Sequence, residues 1–302
     1  MVRFEGRKVR MHERDEIAQI RASKLVCDAA RPSHRTLGRS HRTIAPSHRR
    51  AFAPLVVTAF ALLLALIPFI VAAQGRRGSS QFRQAAEYNG NLTFTRLFYG
   101  SGGLRNFGFG GSAWSHDYPA ADRNLSAIID YITNARVNLE GTNVLDLDDP
   151  EIFQNPVLYV WEPGFWSIQE SEAKRLREYL LKGGFIIFDD FEGPDHWANM
   201  TAQMRQALPE YDFIRIDESH PIFHSFYDIR KLDVPHPSMD VPPGYWGMFE
   251  NNDPTDRMIA LANHNNDIAE YWEWSAEGLY NPDPTSNAYR LGVNYYVYAL
   301  TH

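Results

Sequence analysis

The sequence predicts an α/β protein with a parallel sheet flanked by helices, preceded by an N-terminal membrane-spanning helix. Three observations predict it. Residues 156–188 run as apolar strand, capped helix, Gly183-Gly184 and apolar strand, a βαβ unit whose two strands must lie parallel. Both apolar runs, Pro156–Trp161 and Phe185–Phe188, lack polar alternation, as strands covered on both faces do. Ala51–Ala73 carries no charged residue, and at about 1.5 Å per residue a helix of that length spans a hydrocarbon core of ~30 Å.

Four segments follow from this reading: a basic disordered leader, 1–50; a transmembrane helix or signal h-region, 51–73; a polar linker, 74–90; and an exported α/β domain, 91–302. The leader carries 13 Lys and Arg against 5 Asp and Glu, whereas 74–302 carries 17 against 32. The positive-inside bias therefore places the leader in the cytoplasm and the acidic domain outside the cell membrane. Val71-Ala72-Ala73 also fits a signal-peptidase site, and cleavage after Ala73 gives a secreted domain instead. The leader repeats Ser-His-Arg at 33–35, 40–42 and 47–49, read as a solvated basic tail rather than a preorganised site.

Within the domain, Asn91–Tyr99 alternates at period 2 and reads as a strand. The loop 100–114 holds six glycines but no Gly-Lys-Ser/Thr, so it is no phosphate loop. A helix follows from Ala120 to about Asn134, with Leu125, Ile128, Ile129 and Ile132 on one stripe. Extended pieces near Val137 and Val144 lead to the strand at 156–161. Ser167-Ile-Gln-Glu170 is expected to cap a helix that runs to Lys182, where Gly183-Gly184 stops it. After Phe185–Phe188 come a helix, 195–207, and a strand, 211–216. Prolines at 235, 237, 242 and 243 precede two apolar stretches, Tyr245–Phe249 and Arg257–Ala262, expected to form an insertion or edge hairpin. A helix from Thr285 to Leu300, facing inward through Ala288, Leu291, Tyr295, Tyr298 and Ala299, ends the chain.

The motifs Tyr159-Val-Trp-Glu-Pro-Gly164, Arg177-Glu-Tyr-Leu-Leu-Lys-Gly-Gly-Phe-Ile-Ile-Phe-Asp-Asp190, His220-Pro-Ile-Phe-His-Ser-Phe-Tyr227 and Gly292-Val-Asn-Tyr-Tyr-Val-Tyr-Ala-Leu-Thr301 resemble a bacterial family known as domain of unknown function 4159, over roughly 91–302. More distantly, the succession resembles class I glutamine amidotransferase-like domains, including trehalose-utilisation-type members. That resemblance implies a flavodoxin-like sheet. In catalytic members a nucleophilic cysteine follows the strand matching 185–189, where this chain has Asp189-Asp190-Phe191-Glu192-Gly193. Its single cysteine, Cys27, lies in the leader, so thiol chemistry does not carry over.

The carboxyl end of a parallel sheet is where such folds bind ligands. Asp189, Asp190 and Glu192 are therefore the first catalytic candidates, with Asp195 and His196 next along and His220 expected to join them. Their spacing matches no metal signature, and no cofactor is assigned. His116-Asp117 is open to both a catalytic and a structural reading. No Gly-x-Ser-x-Gly elbow occurs, which argues against acyl transfer by a serine triad. The chain has 7 Trp, 15 Tyr and 18 Phe, and Trp161, Trp166 and Trp272 are candidate ligand-binding residues for a protein or glycan if they share an exposed face. The acidic balance of the domain excludes nucleic acid as a partner. Two functions follow: a non-catalytic recognition module on an amidotransferase-like scaffold, or an extracytoplasmic metal-assisted hydrolase using Asp189, Asp190, Glu192 and His220.

Overall fold

The computed structural model describes residues 83–100 and 113–302. The leader, the expected membrane segment 51–73 and most of the linker lie outside the described residues. Among the described residues no helix is long and apolar enough to cross a membrane.

Seven strands, β1 (Thr95–Leu97), β2 (Asn143–Leu145), β3 (Val157–Trp161), β4 (Phe185–Phe191), β5 (Phe213–Arg215), β6 (Gly244–Phe249) and β7 (Met258–His264), form one sheet in the order β2-β1-β3-β4-β7-β6-β5. The five strands from β2 to β7 are mutually parallel, while β6 runs antiparallel to both β7 and β5. The helices are α1 (Ala120–Ile132), α2 (Glu170–Leu181), α3 (Gly193–Ala207), α4 (Ala269–Glu273) and α5 (Pro282–Thr301).

Every residue of β3 and β4 is buried, and successive side chains feed two separate cores, because a strand presents alternate residues to opposite faces. Val157, Tyr159, Trp161, Phe185 and Ile187 pack into one core with α1, α4 and α5. Leu158, Val160, Ile186 and Phe188 pack into the other with α2 and α3. Apolar residues at each of these positions are the reason both runs read as continuous rather than alternating.

Three expectations are corrected. The cap of α2 is Gln169 with Glu172, whose carboxylate accepts from the Gln169 backbone N–H at 2.6 Å, so Ser167 lies outside the box. The two apolar stretches near 245 and 260 do form a hairpin, but β7 is no edge strand. It pairs in parallel with β4 in the middle of the sheet, and the antiparallel edge consists of β6 and β5. Finally β4 continues to Phe191, through a register shift between Phe188 and Phe191 that contains Asp189 and Asp190.

The chain steps from β1 outward to β2, then crosses back past β1 to β3. Crevices open beside such a reversal of strand order, at the carboxyl ends of the strands.

Candidate active site at the carboxyl ends of the parallel strands

A cavity of about 320 Å3 lies there, lined by His116, Glu162, Phe165, Asp190, Glu192, His196, His236, Pro237, Ser238, Asp267 and Glu270. Each acidic side chain arrives from a strand end: Glu162 follows β3, Asp190 and Glu192 belong to the end of β4, and Asp267 and Glu270 follow β7. His116 and Asp117 sit in the turn before α1. Among the described residues no lysine or arginine lines the cavity.

Asp117, Glu162 and Asp190 have left-handed backbones, with φ of 58°, 43° and 60°. Each such non-glycine residue costs roughly 1–2 kcal/mol, and surrounding bonds hold them in place. The hydroxyl of Tyr99 donates to the Trp161 and Glu162 carbonyls at 2.7 and 2.9 Å. The Asp190 N–H donates to the Asn266 carbonyl at 3.1 Å. Left-handed residues gathered at one edge are a mark of a site where position is kept at the expense of stability.

His116 is the hub. Its Nδ1 lies 2.6 Å from Asp190 Oδ2, 3.6 Å from Asp117 Oδ1 and 3.6 Å from Glu162 Oε1. The hydrogen bond to Asp190 pushes the imidazole up to about 10. Burial, with Asp190 beside it, pushes the Glu162 carboxyl up to about 8. Burial also raises Asp190, Asp267 and Glu270, and carries Glu273 up to about 7 with the Asp117 charge adding to it. Carboxylates crowded out of water raise one another in this way unless a cation joins them.

Two groups have ligand atoms within 4.8 Å of one another: His116 with Glu162 and Asp190, and His116 with Asp117 and Glu270. One imidazole, once an ion has displaced its proton, with several carboxylate oxygens is a donor set suited to Mn2+ or Zn2+. Toward the mouth, Glu192 stands between two imidazoles, with His196 Nδ1 at 3.3 Å and His236 Nε2 at 3.6 Å. The nearby His236 imidazole holds Glu192 below its usual range, so it is an ionised acceptor. Gly164 makes room for His196: a Cβ there would stand 2.2 Å from its Cγ.

Of the residues expected at the site, Asp190 and Glu192 line the cavity, as does His196. Asp189 does not. It points into the core, fully buried, and accepts from Tyr159 Oη, Asn263 Nδ2 and the Ile268 and Ala269 N–H groups at 2.8 to 3.2 Å. His220 is also elsewhere. It caps a short 3-10 turn by accepting from the Ile222 N–H and packs against Phe249 and Tyr298. The expected grouping of Asp189, Asp190, Glu192 and His220 is therefore replaced by one built on His116.

Trp161, Trp166 and Trp272 are 0%, 1% and 0% exposed. Tryptophans at strand and helix ends filled the core here, and none of the three offers a face to a glycan or a protein. Residues the sequence reading left out are Glu162, His236, Asp267 and Glu270. Glu162 had a usable signal, an acid directly after a fully apolar strand.

The fold and cavity define an α/β domain of the doubly wound kind, with a polar, acidic pocket where its parallel strands end. Residues 93–300 match the family described as Domain of unknown function (DUF4159), and the chain belongs to that family. No curated protein matches the chain.

Proposed function

We propose that the domain is an exported, metal-assisted hydrolase whose cation is held around His116. The observation that carries this reading is the meeting of His116 with Asp190 and Glu162, and with Asp117 and Glu270, within 4.8 Å, in a lining that has no lysine or arginine among the described residues. Buried carboxylates in that number need protons or a cation to offset their charge. A divalent ion there would lower the pKa of a bound water toward neutrality. Glu192, ionised and held by His236 and His196, supplies a proton acceptor on the same wall.

A relation to the amidotransferase-like scaffold is supported by the parallel run β2-β1-β3-β4-β7 and by the left-handed Asp190, at the turn where catalytic members carry cysteine. Export, with the membrane retained as anchor or the signal cleaved after Ala73, is supported by the uncharged stretch 51–73 and the basic leader before it. The recognition reading loses its motive, since its three tryptophans are buried.

Full-length protein in detergent, stripped with EDTA and reloaded with Mn2+, is to be assayed against p-nitrophenyl esters, p-nitrophenyl glycosides and bis-p-nitrophenyl phosphate. At least one substrate is expected to be turned over only with Mn2+, and His116→Ala should lower that turnover by at least about 100-fold, the scale of a lost catalytic group. A panel silent with and without the ion sinks the hydrolase reading, even if the ion binds.

A further inference from the structure

Two buried residues outside the cavity hold the turn that carries His116 and Asp117. Arg96 of β1 is 0% exposed. Its Nη1 donates to the carbonyl oxygens of Trp114 at 2.9 Å and His116 at 2.6 Å, while Nε and Nη2 reach the Asp122 carboxylate of α1 at 3.3 and 2.5 Å. The guanidinium lies 3.3 Å over the ring of Trp161, and Trp161 Nε1 donates to Asp117 Oδ2 at 2.9 Å.

That bond uses one oxygen of Asp117. The other, Oδ1, is buried and meets no N–H or hydroxyl donor, on a side chain that is 0% exposed and 3.6 Å from His116 Nδ1, and the Glu270 and Glu273 carboxyls are within hydrogen-bonding reach of Asp117. Buried carboxylates so gathered are costly and call for a shared proton or an ion. The left-handed backbone of Asp117 is a second cost accepted at the same residue.

We infer that Arg96 and Trp161 form a clamp that presents Asp117 Oδ1 as a ligand to a divalent cation, which makes Trp161 a positioning residue of the cation site. The inference rests on the metal reading above and goes beyond it by assigning the orientation of one ligand to a named indole N–H. Groups that orient a metal ligand from behind are worth about 10- to 100-fold in metal affinity.

The test is titration of EDTA-stripped, full-length protein with Mn2+, followed by electron paramagnetic resonance. Trp161→Phe keeps an aromatic ring against Arg96 but removes the N–H, and its Kd for Mn2+ should be about 10- to 100-fold weaker than that of the unaltered protein. Tyr179→Phe removes a buried hydroxyl that reaches the Asn155 and Phe185 carbonyls at the opposite, amino ends of β3 and β4, and its Kd should be unchanged. If Trp161→Phe does not fold, Asp117→Asn reads the same contact. Its amide oxygen would take the indole N–H and its NH2 would face His116, so affinity should fall likewise. Mn2+ bound equally well by the unaltered protein and by whichever of these two variants folds overturns the clamp and leaves the metal reading standing. Equal weakening by Tyr179→Phe also overturns the clamp, since the loss would then be general to the domain. Failure of the unaltered protein to bind Mn2+ overturns both.

Discussion

Asp189 and Asp190 are chain neighbours placed on opposite sides of β4, one in the core and one in the cavity. Burial pushes Asp189 up to about 7, yet four donors converge on its two oxygens. Three of those donors are N–H groups that cannot accept a carboxyl proton, so the pocket is shaped for the ionised form. In that form Asp189 fixes the first N–H groups of α4, which then carries Glu270 to the cavity. It supports the site without touching it. His220 shows how a histidine absent from the site still sets a pH dependence. Burial holds its imidazole down to about 4, against about 6.5 in an unfolded chain. Above 6.5 both states are neutral and nothing is lost. As pH falls from 6.5 toward 4 the unfolded chain takes up a proton that the native ring refuses, so stability declines over that window. Allowing for the solvent that reaches the ring, the loss is on the order of 1–2 kcal/mol. His220→Asn keeps a side-chain acceptor for the Ile222 N–H and does not titrate. Urea unfolding at pH 7 and pH 4.5 should show a smaller difference between the two pH values for the variant than for the unaltered protein. An equal difference would assign the acid sensitivity to other groups.

At the scale of elements, what was legible in the sequence is what local pattern specifies. Two buried strands, the Gly-Gly stop of α2 and the inward stripe of α5 follow from hydrophobic period and turn chemistry within a few residues. The neighbour of β4 does not, because pairing with β7 joins residues more than 70 positions apart and no local signal encodes it. Asp267 and Glu270 were missed for that reason: once β7 is taken for an edge strand, the acids after it have no place at the sheet's carboxyl end. His236, among prolines, carried no signal at all. The tryptophans show the opposite failure, since an aromatic residue at the end of an element has the same sequence appearance whether it faces water or a core. Helix packing gives a sharper test. Gly292 lies within α5, where alanine would ordinarily gain about 1 kcal/mol in helix propensity. A Cβ there would come within 2.6 Å of Trp272 Cζ2 and 3.0 Å of Leu125 Cδ1, and both side chains are 0% exposed. Overpacking of a closed core costs roughly 1–3 kcal/mol, so the clash outweighs the propensity. Gly292→Ala should lower the urea midpoint at unchanged m-value, a net loss of stability of up to about 2 kcal/mol. A stabilised variant would show that α5 can shift away from Trp272.

At the scale of the whole molecule, the division of charge is the strongest feature, +8 over residues 1–50 and −15 over 74–302, on either side of 23 uncharged residues. Arginines at 42, 49 and 50 stand directly before that stretch, and those at 76, 77 and 83 after it. The nearer basic flanks are thus similar in number, and the decision falls to Arg31, Arg35 and Arg39, which extend the bias within the 15–20 residues that count toward orientation. An acidic domain adds nothing against export, since aspartate and glutamate contribute little to orientation. The expected topology has residues 1–50 inside and the DUF4159 domain outside, where its only possible thiol, Cys27, does not follow it and no disulfide is needed. A periplasm-active reporter such as alkaline phosphatase, fused after residue 90, should be active, and the same reporter fused after residue 45 should be inactive. The reverse pattern would overturn export and move the acidic cavity to the cytoplasm. The mass of the mature protein then separates the two forms of export: an N-terminus at Gln74 means a signal cleaved after Ala73, and an intact leader means a single-pass anchor. The distinction reaches the chemistry, because Arg83 pairs with Asp149 and Glu151 and Gln84 pairs with Val144 of β2, so an anchored domain can act only on substrates within reach of residues 74–82. If those nine residues were extended at about 3.3–3.6 Å each, that reach would be roughly 30 Å from the membrane surface, whereas a released domain has no such limit.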